Sequence, residues 1–507
     1  MYKRQSPFSR REFLERSALL SAAAATVGLG NSGLAADEPV KARRGAAADR
    51  LRVAVVGVHS RGMSHVGGFV ANGKGNHNRK NNTTITHVCD CDEAVIGKAM
   101  KGVEQDQGAA PKFVKDFRRL LDDKEIDVIS IATPNHWHAL MAVWAMRAGK
   151  DVYVEKPASH NVREGRLMVE AARKYNRICQ VGTQSRSNPG MRDAVAFLHG
   201  SGVGKVELAY GLCYKPRPSI GDVGRKHGEQ PVPKTMDYDL WCGPAQVLPP
   251  RRNTKNGSVH YDWHWIWEYG NGDFGNQGVH EADKARWGLN KTALPNSVVT
   301  VGGRFGYVDD GETPNTELAL YDYGDSQMLF EVRGLPTKDY KGAKVGNIWF
   351  GEKGYVVCPN YNSGVAYDRD GKELKKFSGG GDQHHFDNFV QAVRSRKVSD
   401  LNCDIEEGHL SAALCHLANI SYRLGREATM AEAAAAFAGT KGAAEALARM
   451  ADHLKENGVD PKTVKGLVGP KLTLDPKAET FTGEAAAKAN KMLTRDYRKG
   501  FDITEAV

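Results

Sequence analysis

Four short runs of apolar and β-branched residues, separated by segments with a helical pattern, constrain the fold of this chain more than any other feature. These runs are residues 51–56, 85–90, 126–132 and 151–154. Strands that alternate with helices at this spacing predict a doubly wound parallel sheet, and therefore an α/β fold. In such sheets ligands bind outside the carboxyl ends of the strands. The residues that follow each run are therefore the first candidates for a functional site.

The turn after the first run predicts a dinucleotide site. The run ends at Gly57 and a helical pattern begins at Gly62, so the turn joins a strand to a helix. Such a turn offers backbone N–H groups and a helix N-terminus to a pyrophosphate. We expect Gly57, His59, Ser60, Arg61 and Gly62 to bind the cofactor there. His59 occupies a position where the dinucleotide motif usually has glycine, so an ordinary strand-to-helix turn is the alternative.

The second run ends in Asp90, about where a ribose-binding carboxylate is expected. Its charge favours NAD over NADP because it would repel the 2′-phosphate. Asp92 is a second candidate for this role. The interval from Gly57 exceeds the usual ~20 residues, and residues 71–84, rich in Gly, Asn and Lys, predict an inserted loop.

The third and fourth runs also lead into polar turns. Residues 133–138 read Thr-Pro-Asn-His-Trp-His, and the fourth run leads into Glu155, Lys156 and Pro157. Pro157 prevents the strand from continuing. The Lys156 amine, held beside a nicotinamide, could carry the proton of a hydroxyl while the hydride leaves carbon. The alternative is a surface lysine before a turn.

Together these segments resemble the Gfo/Idh/MocA oxidoreductases, whose prototypes are glucose–fructose oxidoreductase and inositol dehydrogenase. The resemblance continues through residues 181–184 and 275–283 and ends near Gly425. It implies a Rossmann domain at 51–182 and an α/β domain with an open, mostly antiparallel sheet at 183–430. Exposed sheets in this family often pair between subunits, which implies a homo-oligomer. Further residues expected at the cofactor are Thr133, Pro134, Asn135, His138, Glu155, Lys156 and Gln184.

The resemblance also points to catalytic residues besides Lys156. The family commonly has Asp-x-x-x-His on one helix, and the matching pair here is Asn276 and His280. Residues four apart share a helix face, so both could reach one substrate hydroxyl. Asparagine cannot act as a base, so the proton relay would fall to His280 and Lys156. A histidine buried in the core is the alternative for His280.

An aromatic segment and several polar residues predict a carbohydrate site. Residues 261–267 hold three tryptophans and a histidine, and aromatic faces stack on the C–H faces of sugars. Alternation would place the tryptophans on one face if the stretch is extended. We expect Trp263, His264, Arg186 and Asp283 to bind substrate, with Asp283 also able to orient His280. Ordinary core packing and a solvated loop are the alternatives.

The N-terminal residues predict export. Arg10 and Arg11 precede an Ala-rich apolar run at 18–28, which is typical of a twin-arginine signal. The run is shorter than the ~20 apolar residues of a membrane span. We assign residues 1–36 to the signal and 37–50 to a linker, with a disordered basic tail as the alternative. Twin-arginine machinery exports folded proteins, and free NAD is not expected in the periplasm. The cofactor should therefore be loaded before export and held tightly.

Composition excludes other classes of function. The net charge is +10, but residues 1–52 hold ten Lys and Arg against five Asp and Glu, so half of the excess lies near the N-terminus. No basic and aromatic motif indicates nucleic-acid binding. The eight cysteines are scattered without metal-ligand spacing, so we expect no metal site and no disulfides. Residues 431–507 are expected to form a helical extension.

We therefore predict an NAD(P)-dependent oxidoreductase, with NAD favoured over NADP, that acts on a sugar or polyol hydroxyl with tightly bound cofactor. One alternative is a redox-neutral glycoside hydrolase or lyase that works through a 3-keto sugar. A catalytically silent sugar-binding protein is the second.

Overall fold

The β-branched runs of the first half of the chain form a six-stranded parallel sheet. The computed structural model describes residues 50–70, 81–221, 231–250, 258–505 and 507. The strands are Leu51–Val56 (β1), Thr83–Cys89 (β2), Lys112–Val114 (β3), Val128–Ile131 (β4), Asp151–Val154 (β5) and Cys179–Val181 (β6). The helices are Gly62–Phe69 (α1), Gly97–Gln107 (α2), Asn135–Arg147 (α3), Val162–Lys174 (α4) and Pro189–His199 (α5).

The strand order β3-β2-β1-β4-β5-β6 is that of a doubly wound sheet. All four residues of β4 and of β5 are buried, because helices cover both faces of a parallel sheet. The order reverses between β1 and β4, where the connections leave in opposite directions. The crevice that this reversal opens lies at the turns that the sequence singles out.

A second, twelve-stranded sheet follows, with the main order β14-β13-β12-β11-β7-β10-β9-β8-β16-β15 and with β17 and β18 beside β8. Its first strands are Val206–Cys213 (β7), Ser297–Gly303 (β8), Thr316–Asp322 (β9), Gln327–Arg333 (β10), Val345–Gly351 (β11) and Gly354–Cys358 (β12). The others are Ser363–Asp368 (β13), Glu373–Ser378 (β14), Arg426–Thr429 (β15), Lys465–Val468 (β16), Leu472–Asp475 (β17) and Thr480–Thr482 (β18). The pair β7 and β10 is parallel and the other recorded pairs are antiparallel. Both parts of the predicted α/β fold are thus confirmed.

Helices cover both faces of this second sheet. The helices in this half are Tyr238–Cys242 (α6), Val279–Gly288 (α7), Gln383–Ser395 (α8), Ile405–Arg423 (α9), Met430–Ala436 (α10), Ala443–Glu456 (α11) and Ala486–Ala489 (α12). Residues of α7 and α9 share one core with the sheet. On the opposite face, Phe437, Met450 and Leu454 pack with Leu320 and Leu329. Helices α10 and α11 cover part of this face, and strand β14 at the edge stays largely exposed.

The expectation of a purely helical extension after residue 430 is wrong. Strands β16, β17 and β18 lie there beside the helices. In β17, Leu472 and Leu474 are buried and Thr473 and Asp475 are exposed, a period of two that fits a strand and not a helix. The extension thus enlarges the second sheet as well as covering it.

The predicted export signal lies outside the described residues, as does the predicted linker up to residue 49. Within the described ranges, no helix combines the length and the apolar character that a membrane span requires.

Candidate active site

A cleft of about 220 Å³ lies at the carboxyl ends of β1, β2, β4 and β5. Ten of the predicted cofactor residues line it: Gly57, His59, Ser60, Arg61, Asp90, Thr133, Pro134, Asn135, Glu155 and Lys156. The parallel strands bring these turns together because all four strands end at the same edge of the sheet. Gly62 adjoins the cleft as the first residue of α1.

The glycine turn is packed too closely for side chains. Gly57 has φ +79°, and a Cβ there would lie 2.7 Å from the Ala132 carbonyl oxygen. A Cβ at Gly62 would lie 1.8 Å from the Gly57 carbonyl oxygen. The backbone itself therefore forms this wall of the cleft, next to the N-terminus of α1. A backbone cradle at a helix N-terminus fits the pyrophosphate of a dinucleotide.

Asp90 and Asp92 have different surroundings. The Asp90 carboxylate accepts hydrogen bonds from the Val58 amide at 2.9 Å and from the Asp92 amide at 3.0 Å, and it lines the cleft. The Asp92 carboxylate is buried, accepts from the Ala94 amide and lies 3.0 Å from His260 Nε2. Asp90 is therefore the better candidate for ribose hydroxyls.

Glu155 is the centre of a buried hydrogen-bond network. Its carboxylate accepts from Arg61 Nε at 2.8 Å and lies 3.1 Å from His65 Nε2. Gln184 Nε2 donates to it at 3.3 Å. Burial alone would raise the pKa of the Glu155 carboxyl, but Arg61, His65 and Lys156 outweigh burial and hold it well below its usual range. The carboxylate is thus a fixed negative charge beside Lys156.

Lys156 projects across the cleft to the second half of the chain. Its Nζ donates to the Asn276 carbonyl oxygen at 2.6 Å. Burial lowers the pKa of the Lys156 amine, Arg61 and Lys215 lower it further, and Glu155 opposes them. A lysine with a lowered pKa can exchange a proton nearer to neutral pH.

Asn276 and His280 are brought near Lys156 but not onto one uniform helix face. A π-helical turn, Phe274–Gly278, precedes α7 and contains Asn276. Asn276 lines the cleft. His280 instead packs on Tyr361, with ring centroids 4.8 Å apart. Among the described residues, the buried Nδ1 of His280 has no hydrogen-bond partner. Burial and then Lys156 hold the His280 pKa well below its usual range. His280 is thus a neutral imidazole with a free ring nitrogen.

Polar residues that the sequence did not single out surround this pair. Lys215 Nζ donates to Gln277 Oε1 at 3.1 Å, and Gln277 Nε2 donates to the Tyr361 hydroxyl at 2.5 Å. Burial raises the pKa of Glu281 to about 7. Lys215 lies two residues after the end of β7, and Tyr361 lies in a loop with no motif. Only the fold brings these residues to the substrate side of Lys156.

An aromatic cover, defined as residues 236–250 and 258–269, forms the outer wall of the cleft. Trp263 and His264 line it and stack on each other, with ring centroids 3.6 Å apart. The stretch is not extended, because Asp262–Trp265 is a short 3₁₀ helix, so strand alternation does not place the tryptophans on one face. The cover also contributes His260, which the sequence reading missed and which stacks on His59 at 4.4 Å.

Four residues predicted at the cofactor or the substrate lie behind the cleft wall instead. Gln184 holds Glu155, and His138 lies between the carbonyl oxygens of Pro157 at 2.6 Å and Thr133 at 2.7 Å. Arg186 and Asp283 are buried and pair with each other at 2.9 Å. Their charges satisfy each other, so neither is available to substrate. Sequence spacing could not show this pairing because the two residues are far apart in the chain.

The Arg186–Asp283 pair leads to a test of this correction. We expect Asp283→Asn to lower the free energy of unfolding by about 2 kcal/mol, because Arg186 then loses a charged hydrogen-bond partner in the interior. Glu407, 2.9 Å from Arg186, keeps part of the compensation. Urea unfolding measures the loss, and substrate KM should not change. A raised KM with normal stability would return Asp283 to the substrate site.

Comparisons with known proteins agree with this geometry. Models of the Gfo/Idh/MocA oxidoreductase family match residues 51–183, as its NAD-binding Rossmann fold, and residues 220–455, as its C-terminal alpha/beta domain. The levoglucosan dehydrogenase solved with NADH and levoglucosan has a TM-score of 0.54 and 16% identity, over 73% of this chain and 96% of that one. The WlbA dehydrogenase of Bordetella pertussis, solved with NADH and UDP-GlcNAcA, has a TM-score of 0.53 and 19% identity, over 74% and 97%. These likenesses show a shared fold.

Curated relatives are named as glycosyl hydrolases. A glycosyl hydrolase family 109 protein of Saccharopolyspora erythraea is 33% identical over 221 residues, which are 41% of this chain and 46% of that protein. A second such protein, of a Shewanella species, is 31% identical over 187 residues, or 35% and 39%. The chain thus matches less than half the length of these relatives.

Proposed function

The chain belongs to the Gfo/Idh/MocA oxidoreductase family, and from that premise we propose that it oxidises a secondary hydroxyl of a sugar or polyol. The observation that carries the proposal is the position of Lys156. Its amine lies in the same cleft as the glycine turn and Asp90 and reaches Asn276 on the opposite side. A proton acceptor thus lies between a dinucleotide cradle and a polar cluster suited to hydroxyl groups.

Bound NAD supplies a hydride acceptor to this cleft. Asp90 would hold its ribose and the glycine turn would hold its pyrophosphate. Lys156, in its neutral form, accepts the proton of the substrate hydroxyl as the C–H bond breaks. Glu155 stabilises the ammonium that results, because it is a fixed carboxylate next to it. His280, a neutral imidazole near Lys156, would help to position the hydroxyl, and the main-chain carbonyl of Asn276 positions the lysine.

The cover supports a cofactor that stays bound between turnovers. Trp137 Nε1 donates to the Leu240 carbonyl at 2.9 Å, and His260 lies 3.0 Å from Asp92. These contacts join the cover to α3 and to the loop after β2, and His260 also stacks on His59 of the glycine turn. Release of a dinucleotide would require them to break. We therefore expect NAD to remain with the protein through purification.

A redox-neutral glycosidase is the second candidate, and the names of the curated relatives favour it. In that reaction the same lysine removes the hydroxyl proton, a transient 3-keto sugar acidifies the neighbouring C–H, and the glycosidic bond is eliminated. Water would then add to the resulting unsaturated ketone, and re-reduction of the keto group would restore the cofactor within one turnover. The tightly covered cleft suits this cycle as well as it suits oxidation.

The test uses protein purified from the cytoplasm without added cofactor. We expect mass spectrometry of the denatured protein to show NAD. Free sugars added to the holo-protein should reduce the bound nicotinamide, and its absorbance reports that reduction. Glycosides added in a parallel assay should release no aglycone. Repeated aglycone release without net reduction would instead establish the glycosidase. If no sugar or polyol reduces the bound nicotinamide and no glycosidic bond is cleaved, both functions are refuted.

The lowered pKa of Lys156 predicts the pH dependence of oxidation. Only the neutral amine accepts a proton, and its fraction rises as pH climbs through the pKa. We expect kcat/KM for oxidation to rise with pH and to level off below the ordinary lysine value of 10.5. Reduction of the keto product should show the opposite slope. Rates are measured over a pH series, and a rise that begins only at or above that ordinary value would contradict the prediction.

We also propose that the protein is exported as a folded holo-protein by the twin-arginine route to the periplasm. The support is the Arg10-Arg11 pair ahead of the Ala-rich run, together with a cofactor that must be acquired before export. Replacing both arginines by lysine should retain the protein in the cytoplasm, as fractionation and immunoblotting would show. Self-association stays a prediction, and sedimentation of the purified protein would measure it.

A further inference from the structure

A segment near the C-terminus, residues 494–503, contacts both the Rossmann domain and the aromatic cover. We call this segment the strap. It follows α12 and lies beyond residue 455, where the match to the family's C-terminal domain ends. None of its residues lines the cleft that holds Lys156. Any effect of the strap on that cleft must therefore pass through the cover.

One side of the strap is fixed to two helices of the Rossmann domain. The Tyr497 hydroxyl donates to Glu164 Oε1 on α4 at 3.1 Å. The Phe501 ring packs edge-on against Trp137 of α3, with ring centroids 5.6 Å apart. Phe501 and Ile503 are buried in the same core cluster as apolar residues of these helices. Apolar burial thus anchors the strap independently of its polar contacts.

Two arginines of the strap bind the cover. Arg498 Nη1 donates to the Gly243 carbonyl oxygen at 3.1 Å, and its guanidinium also pairs with Asp239. Arg495 Nη1 donates to the Glu268 carbonyl oxygen at 3.0 Å and pairs with the carboxylate of the same residue. Arg498 therefore holds the first segment of the cover, and Arg495 holds the second. Because two of the acceptors are main-chain carbonyls, these contacts fix the backbone of the cover.

The part of the cover that the strap holds is also a wall of the cleft. Leu240 and Trp241 lie between Asp239 and Gly243 and line the cleft, as does Trp137 of α3. Trp137 Nε1 donates to the Leu240 carbonyl oxygen, and a Cβ at Gly243 would lie 2.1 Å from the Trp137 ring. The cover thus packs directly on α3 where the strap binds it. Outward movement of this wall would pull it away from both α3 and the strap.

We propose that the strap holds the cover closed over bound NAD and thereby sets the rate at which the cofactor dissociates. The cover opens when the contacts of Arg495 and Arg498 break, while Phe501 and Tyr497 keep the strap on the Rossmann domain. The strap thus adds to the contacts of Trp137 and His260 that already join the cover to that domain. This inference rests on the retention of NAD proposed above.

Exchange of the bound cofactor tests the strap. Holo-protein is mixed with excess isotope-labelled NAD, and mass spectrometry of the bound fraction follows replacement of the unlabelled cofactor. The double variant Arg495→Ala/Arg498→Ala should exchange NAD at least about tenfold faster than the wild type, because two hydrogen bonds and two ion pairs no longer oppose opening. Its melting temperature should stay near that of the wild type, since the apolar anchor is intact.

Lys499→Ala is the matched control on the same segment. Lys499 is exposed, and it forms no recorded hydrogen bond or ion pair with any residue in the described part of the chain. This variant should exchange NAD at the wild-type rate. If the double variant loses its fold, Arg498→Ala alone supplies the same comparison, with a smaller increase expected.

Hydrogen exchange of the holo-protein supplies a readout that does not depend on activity. Amides of residues 239–246 should exchange faster in the double variant, because the cover opens more often, whereas those of the buried strand β4 should not change. Wild-type protein that loses NAD within seconds would refute cofactor retention itself, and this inference with it. Slow NAD exchange that the double variant leaves unchanged would refute the strap alone. Faster NAD exchange without faster hydrogen exchange in the cover would also overturn the proposal.

Discussion

Replacement of Lys156 by alanine should lower turnover by about 10²- to 10⁴-fold, the usual contribution of general acid–base catalysis. The amine lies in the cleft with the dinucleotide cradle and reaches Asn276 of the substrate cluster, and burial lowers its pKa. Steady-state rates on the best sugar of the substrate panel measure the loss. NAD should remain bound, because Asp90 and the glycine turn are untouched.

Two control variants distinguish the loss of proton transfer from the loss of positive charge and from a general loss of folding. Lys156→Arg keeps the positive charge, but a guanidinium does not release its proton in proteins, so we expect a similar loss of turnover. Lys112 is exposed on the edge strand β3 and pairs with Glu125, so Lys112→Ala should retain full activity. Glu155 stays paired with Arg61 and His65 in either Lys156 variant, which should preserve the melting temperature. Full activity in Lys156→Ala would show that another residue moves the proton.

The sequence predicted the parts of the site that depend on local pattern. The parallel strands, the turn at Gly57, the position of Asp90 and the turn at Lys156 follow from short apolar runs that end in polar or glycine-rich residues. A parallel sheet brings all such ends to one edge, so their proximity could be inferred without any contact being known.

The parts that failed depend on contacts between distant segments. From the sequence, Arg186 and Asp283 could bind substrate or could form an ion pair with each other. The packing of α7 against the 3₁₀ turn at Gln184–Ser187 brings them together as an ion pair. His138 follows a turn at the cleft edge, yet its ring points back to Pro157. His260 and Tyr361 carry no motif at all. Period-two patterns after residue 430 were obscured by alanine- and lysine-rich neighbours.

Replacement of Gly62 by alanine should abolish most of the affinity for NAD. The new Cβ would lie 1.8 Å from the Gly57 carbonyl oxygen and 2.8 Å from its carbonyl carbon. Neither atom belongs to a flexible side chain, so α1 and the turn must move apart. Loss of one or two backbone hydrogen bonds to phosphate corresponds to at least about 100-fold in affinity. Calorimetric titration of the cofactor-free protein measures this, and overpacking should also lower its free energy of unfolding by about 1–3 kcal/mol.

Gly67 provides the matched control on the same helix. It is exposed, and a Cβ there would meet nothing within 4 Å. Because alanine favours a helix by about 1 kcal/mol over glycine, Gly67→Ala should stabilise the protein slightly and leave NAD affinity unchanged. Comparison of Gly62→Ala with Gly67→Ala thus distinguishes an effect on the shape of the cofactor cradle from an effect on the stability of α1. If Gly62→Ala binds NAD as tightly as Gly67→Ala, the dinucleotide is held elsewhere, and the position of Lys156 beside it must be reconsidered.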